Sequence, residues 1–278
     1  MAHVLLMTTR SLLPSLAFAA LMAPAFVPAV AFAQSFDQVV QAEVLPGWRT
    51  ADGTHMAAVK VTMNPGWKTY WRAPGDAGIP PQITWNGSRN MESVALEWPT
   101  PEVFNQNGMR SIGYTDALVL PIKISPKDAS KPVRLKATLD IGVCRDICVP
   151  QRLKVKAELP ASGARDAEIA AALVDQPLTA REAGVGKVTC KLSPTSDGVA
   201  LEATIHMPSA GGTEVAVVET ADSYIWVAEG KTKRSGNTLV TKTEMMHVDA
   251  SSFMVNRSDL RFTVLGANHA VDIVGCSG

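Results

Sequence analysis

The sequence has no surplus of charge of either sign. Its 26 lysines and arginines balance 26 aspartates and glutamates, for a formal net charge of +0, and only 19% of its 278 residues are charged. That balance leaves no electrostatic footprint for nucleic acid and no strong pull toward an anionic membrane. Enzyme signatures are missing too. There is no G-x-S-x-G, no H-E-x-x-H and no glycine-rich phosphate loop. Histidine is scarce, at five. His3 lies in the first segment, and His55, His206, His247 and His269 are scattered, each read as structural or exposed rather than catalytic. Nothing supports a pair of acids for glycoside chemistry. After the first 33 residues no apolar run approaches the length of a membrane span. No cofactor and no resident metal are expected.

What is present begins with a leader. "MAHVLLMTTR" carries one arginine, Arg10, and the apolar "SLLPSLAFAALMAPAFVPAV" follows. "AFA" at 31–33 then supplies small residues for cleavage before Gln34. This three-part pattern is that of a secretory signal peptide over residues 1–33. Pro14, Pro24 and Pro28 interrupt the run and argue against a membrane anchor. The mature chain is therefore expected to be exported. Hydrophobic residues, at 46%, suffice for packed cores.

From Gln38 onward the dominant pattern has a period of two. "HMAAVKVTM" (55–63), "ALVLPIKI" (117–124), "PVRLKATLDIGV" (132–143) and "RLKVKAEL" (152–159) alternate apolar and polar residues. Such segments are half-buried strands, and many at close spacing imply an antiparallel sandwich. Residues 161–187 differ. They are rich in alanine and charge, and Ser162 is a candidate N-cap for a helix ending near Val174, before Pro177. Strand patterning then resumes with six candidates between 199 and 275. The expected fold is all-β, with two antiparallel β-sandwich domains at 34–160 and 188–278. A short, partly helical linker at 161–187 joins them.

All four cysteines lie beyond the leader, and an even number in an oxidising compartment points to disulfides. Cys190 and Cys276 stand at opposite ends of the second domain. Pairing them closes a long loop, worth about 4–5 kcal/mol in the chain-entropy model, as expected of a structural staple. Cys144 and Cys148, in "GVCRDICVPQ", are only four apart. An extended chain would hold their Cα atoms about 13 Å apart, whereas a disulfide needs about 7 Å or less. If they pair, the chain turns between them. So small a ring contributes only about 2 kcal/mol by the same expression. Arg145 favours a thiolate and Asp146 opposes it. Three readings stay open on spacing alone: a local staple, a redox pair, or part of a soft-metal site for copper with Met245, Met246 and His247.

Five tryptophans, Trp48, Trp67, Trp71, Trp85 and Trp98, precede that pair. Core packing is the favoured reading, and stacking on a sugar or a partner is the other. Pro74, Gly75, Gly78, Pro80 and Pro81 mark a loop among them.

"PGWKTYWRAPGDAGIPPQITW", "WPTPEVFNQNGMRSIGYTDALVLPIKI" and "GVCRDICVPQ", in this order, resemble the amino-terminal periplasmic domain of DsbD-type disulfide reductases. The α domain of ScsB-type proteins is the more similar. The resemblance covers roughly residues 38–160, and the second domain fits less specifically. It implies a periplasmic, immunoglobulin-like domain whose cysteine pair relays electrons. A separate membrane electron-transfer protein would reduce Cys144 and Cys148. The pair would then reduce exported thioredoxin-like or disulfide isomerase proteins. By position Cys148 would form the mixed disulfide and Cys144 would resolve it. Phe104, Asn105, Gln106, Asn107 and Gly108 stand where the family has a cap loop. Here three residues separate the cysteines, fewer than in DsbD, and Phe104 is at the edge of the cap rather than its centre. The alternative is a copper-binding or partner-binding module in which the pair is a ligand or a local disulfide.

Overall fold

Alternation along the chain becomes strand pairing in the computed structural model. Residues 39–106, 108–249 and 252–278 are described. The expected signal peptide, residues 1–33 with cleavage before Gln34, lies outside them, as does Asn107 of the expected cap. The first half contributes β1 (Val40–Arg49), β2 (His55–Met63), β3 (Lys68–Tyr70), β4 (Gln82–Thr84) and β5 (Ser93–Leu96). It continues with β6 (Glu102–Gln106), β7 (Met109–Thr115), β8 (Ala117–Ser125), β9 (Val133–Cys144) and β10 (Cys148–Leu159). A helix, α1 (Ala167–Val174), and β11 (Leu178–Thr179) follow. The second half holds β12 (Val188–Pro194), β13 (Val199–His206), β14 (Val215–Glu219) and β15 (Ile225–Val227). Its last strands are β16 (Lys231–Ser235), β17 (Thr238–His247), β18 (Arg261–Leu265) and β19 (Ala270–Val274).

The fold is all-β and immunoglobulin-like. One sheet runs β1-β2-β8-β5, and the second runs β10-β9-β3-β7-β6 with β4 also on β9. Val59, Leu120, Ile122, Leu135, Leu139 and Trp71 fill the core of this half. In the second half, β11-β19-β18-β14 and β12-β13-β17-β15 form two more sheets, with β16 also on β17. Leu201, Ile205, Leu239 and Phe262 anchor a second core. Cys190 and Cys276 are bonded there, 86 residues apart in sequence.

The halves are not loosely strung. Val215, Leu265 and Ala270 of the second half belong to the first core. Arg72 meets Glu219 through two parallel bonds of 2.9 and 3.0 Å, and Arg110 meets Glu229 at 3.0 Å. The described residues form one compact unit.

The stretch between the halves is also docked. Ile169 of α1 packs with Met56 and Ala58, while Ala180, Ala183 and Val185 pack on the second core. Asp166, not Ser162, caps the helix, its carboxylate accepting from the backbone N–H groups of Glu168 (2.9 Å) and Ile169 (3.0 Å). The reason is local. A Cβ on Gly163 would sit 2.2 Å from the Gly47 carbonyl oxygen, so the chain at 162–163 is pressed against β1. Asp166 is the acceptor standing immediately before the helix.

His55 sits fully buried at the start of β2. Its Nε2 lies 2.6 Å from the Pro46 carbonyl, so Nε2 is the donor and Nδ1 carries no proton. Nδ1 is buried without a partner. Burial, with Arg49 nearby, holds this imidazole below its ordinary pKa. The folded state thus binds the proton less well than the unfolded state. Stability is fully present above the unfolded histidine value of about 6.5 and is lost as pH falls below it. Urea unfolding midpoints should fall between about pH 7.5 and about pH 5.5, and His55→Gln should flatten that slope. An equal slope in the variant would remove His55 as the cause.

Candidate functional site

The two longest strands build the site. β9 and β10 pair residue for residue, from Leu159 on Val133 to Cys148 on Cys144. Pro150 is tolerated because β10 is a sheet edge, where a missing N–H breaks no ladder. Arg145, Asp146 and Ile147 make the turn, closed by Arg145 N–H donating to the Ile147 carbonyl at 3.1 Å. The cysteine Cα atoms stand 4.1 Å apart, and the sulfurs are bonded. The two residues differ in exposure. Cys144 is 1% exposed, whereas Cys148 lies open at the hairpin end beside exposed Ile147.

Next to β9 lies β3, short but buried throughout. Lys68 is in register with Cys144, and Thr69 with Val143. Trp67 and Trp71 join the sandwich core, which turns Lys68 and Tyr70 to the other face. Tyr70 Oη donates to Cys144 Sγ at 3.0 Å and lies 3.4 Å from Cys148 Sγ. Burial raises the pKa of the Tyr70 hydroxyl, so it keeps its proton at neutral pH. Gly142 makes room for the ring, since a Cβ there would lie 3.2 Å from Tyr70 Cε2 and 2.9 Å from Ile79 Cδ1. Thr69 Oγ1 donates to the Gly142 carbonyl at 3.0 Å, tying β3 to β9.

Charge around the pair is partly spent. Arg145 bridges Asp146 at 3.0 Å and lies 5.4 Å from the Trp67 ring centre. Lys68 is 7% exposed. Its Nζ donates to Gln106 Oε1 at 2.7 Å and Ser111 Oγ at 3.2 Å, with the Phe104 ring 4.7 Å away. Burial lowers its pKa.

The expected cap residues are therefore not a free loop. Phe104, Asn105 and Gln106 end β6, and Gly108, at φ +78°, belongs to the turn into β7. Trp67 and Trp71 are core residues, and Trp48, Trp85 and Trp98 are half-buried against apolar clusters. Met245 is buried in the second core and His247 stacks on Tyr224 at 5.9 Å, so these side chains are engaged there. Among the described residues no three His, Cys, Asp or Glu side chains gather as a metal site. No described helix is long and apolar enough to cross a membrane. Sequence reasoning missed Tyr70 and Lys68 as site residues. The local pattern in "GWKTYW", polar residues alternating with core tryptophans, shows a face but names no partner for Lys68 or Tyr70.

Replacing Tyr70 by Phe removes the hydroxyl that meets both sulfurs. In the reduced protein the more acidic thiol should rise by about one pH unit, matching about 1.4 kcal/mol of lost hydrogen bonding. The pH profile of alkylation by iodoacetamide measures it. An unmoved profile would separate Tyr70 from the thiol chemistry.

The match to known proteins follows this geometry. The family model described as "Thiol:disulfide interchange protein DsbD, N-terminal" matches residues 35–160. No curated protein sequence matches the chain. Among solved structures, the N-terminal periplasmic domain of ScsB from Proteus mirabilis superposes with a TM-score of 0.63 at 19% identity. That likeness covers 86% of this chain and 92% of that one, so the shared fold extends well past residue 160. Taken with the hairpin disulfide they enclose, the matched residues 35–160 belong to the DsbD N-terminal family.

Proposed function

We propose that the chain is an exported thiol–disulfide exchange protein that works through Cys144 and Cys148. In this reading the redox domain spans 34–160, and 188–278 is a second sandwich domain stapled by Cys190–Cys276. The observation that carries the proposal is the asymmetry of the pair. Cys148 is exposed, while Cys144 is buried and bonded by Tyr70.

Exchange proceeds by thiolate attack on a disulfide sulfur. In the reduced protein the Cys148 thiolate attacks a partner's disulfide. A Cys148–partner bond forms, and the partner's other sulfur leaves as a thiolate. The Cys144 thiolate then attacks Cys148 Sγ, the intramolecular bond re-forms, and the second partner sulfur leaves. The partner has gained two electrons, with protons taken from solvent, and the pair has lost two. Tyr70 Oη, placed to donate to either sulfur, stabilises the thiolate that each step needs. Family membership supports thioredoxin-like proteins as acceptors and a membrane domain as donor, here proposed to be a separate membrane electron-transfer protein. The periplasm is the proposed compartment, because the ScsB domain of like fold is a periplasmic one.

The test uses single-cysteine variants. Cys144→Ser mixed with oxidised thioredoxin should accumulate a mixed disulfide through Cys148, visible on a non-reducing gel. Cys148→Ser should not. No adduct with Cys144→Ser, or equal adducts with both, would contradict the assignment.

A further inference from the structure

One strand edge of the second half is left open. β14 pairs with β18 and with no other described strand. Ala216 N–H turns away from β18, because it donates to Thr232 Oγ1 at 3.0 Å. The Ala216 carbonyl is covered too, since a Cβ on Gly230 would lie 2.9 Å from that oxygen. Backbone groups alternate in direction along an antiparallel strand, so Val218 N–H and C=O point the same way as those of Ala216. There the cover has ended, and neither group bonds another described residue. Val218 borders a cleft of about 670 Å³. β14 lines one part of it and β15 another, while Arg110 and residues between Arg72 and Gln82 line it from the first half.

The cleft has apolar walls and unspent negative charge. Ile112, Val217 and Ile225 line it, and so does Trp226, which is 42% exposed. A large ring left open beside a cleft is the kind of anchor that partners use. Arg72 and Arg110 are spent on Glu219 and Glu229. Asp76 and Asp222 are exposed in the lining, and neither has an ion-pair partner among the described residues.

We propose that this cleft docks an extended, basic segment of a partner protein, added as a strand along β14 at Val218. Each feature has its part in that recognition. The open edge supplies main-chain hydrogen bonds, the apolar walls take alternate side chains, and the two carboxylates select lysine or arginine. The loop that walls the cleft also reaches the cysteine strand. Its Ile79 lies so close over Gly142 of β9 that a Cβ there would meet Ile79 Cδ1 at 2.9 Å. The docking goes beyond thiol exchange and stands apart from it, because it uses neither cysteine.

The probe is a short acetylated peptide of alternating lysine and valine, titrated into the full chain by calorimetry at low salt. It carries no cysteine. Binding is expected with a Kd below about 1 mM. At saturation, amide exchange at Val218, followed by NMR, should slow about fivefold or more, the weight of one new hydrogen bond. The same peptide N-methylated throughout has lost its backbone donors and should bind about fivefold more weakly or worse. Glutamate in place of lysine should weaken binding about tenfold or more, through repulsion from the rim. Asp76→Asn/Asp222→Asn should weaken the lysine peptide about threefold or more and flatten its salt dependence. Asparagine can still accept the bond that Asp222 Oδ1 takes from Tyr224 N–H. The two altered peptides are read on the wild-type chain, so they decide the matter even if the double variant fails to fold. No binding of the lysine–valine peptide would overturn the docking. So would equal affinity for either altered peptide, wild-type affinity in a folded double variant, or unaltered exchange at Val218. Failure here with a normal Cys148 adduct would reject the docking alone, and a missing adduct would reject the exchange reading alone.

Discussion

The register of β9 on β10 is the constraint on which the site depends. It sets Cys144 opposite Cys148 and holds them there with an unbroken ladder down to Val133 and Leu159. Side chains alternate between faces, so a slip of one residue would move one cysteine to the opposite face. The slip is opposed by the core. Val133, Leu135, Ala137, Leu139 and Ile141 are all buried on one face of β9, and a shift would expose every one of them. The hydrophobic face of a long strand thus fixes a disulfide that itself closes only a small loop.

The strand beside it distributes the consequences. Along the outward row, Tyr70 touches the sulfurs, Lys68 holds the edge hairpin, and Arg72 reaches the second half. Arg72 is well suited to the last task. Its guanidinium lies 4.1 Å from the Trp71 ring centre, forks onto Glu219, and donates to Thr263 Oγ1 at 3.3 Å. A planar fork on a carboxylate fixes orientation as well as distance. Arg110, on β7, makes a similar bond to Glu229. The second half therefore grips both β7 and the chain just past β3, the strand next to the cysteine strand β9. With the apolar seam of Val215, Leu265 and Ala270, this joins the halves into a single frame around the site.

How much of this is legible in the sequence follows from sequence separation. β9 and β10 can be read directly, because each is long, alternates cleanly, and pairs with its neighbour across a three-residue turn. β2, β8, β13 and β17 are visible from their length and alternation, though not their pairing. β3 is not, since three residues carry too little pattern and its flanking tryptophans signal only a core. Its partners are also remote: Tyr70 and Cys144 are 74 residues apart, and Lys68 and Ser111 are 43 apart. Nothing local marks such pairs. The edge hairpin reads as a loop because its asparagines and glycine signal a turn, which holds for Gly108 but not for Phe104 to Gln106. At α1 a serine with the right chemistry lies too early, and the close packing of Gly163 on β1 leaves the cap to Asp166.

The central claim is that Cys144 and Cys148 exchange electrons rather than brace the fold. The reduction potential of that pair, measured against a glutathione or dithiothreitol series, tests it most directly. A working pair must be reducible by its donor, so the account predicts a value above about −300 mV. A value far below about −300 mV would mark an inert structural bond and contradict it.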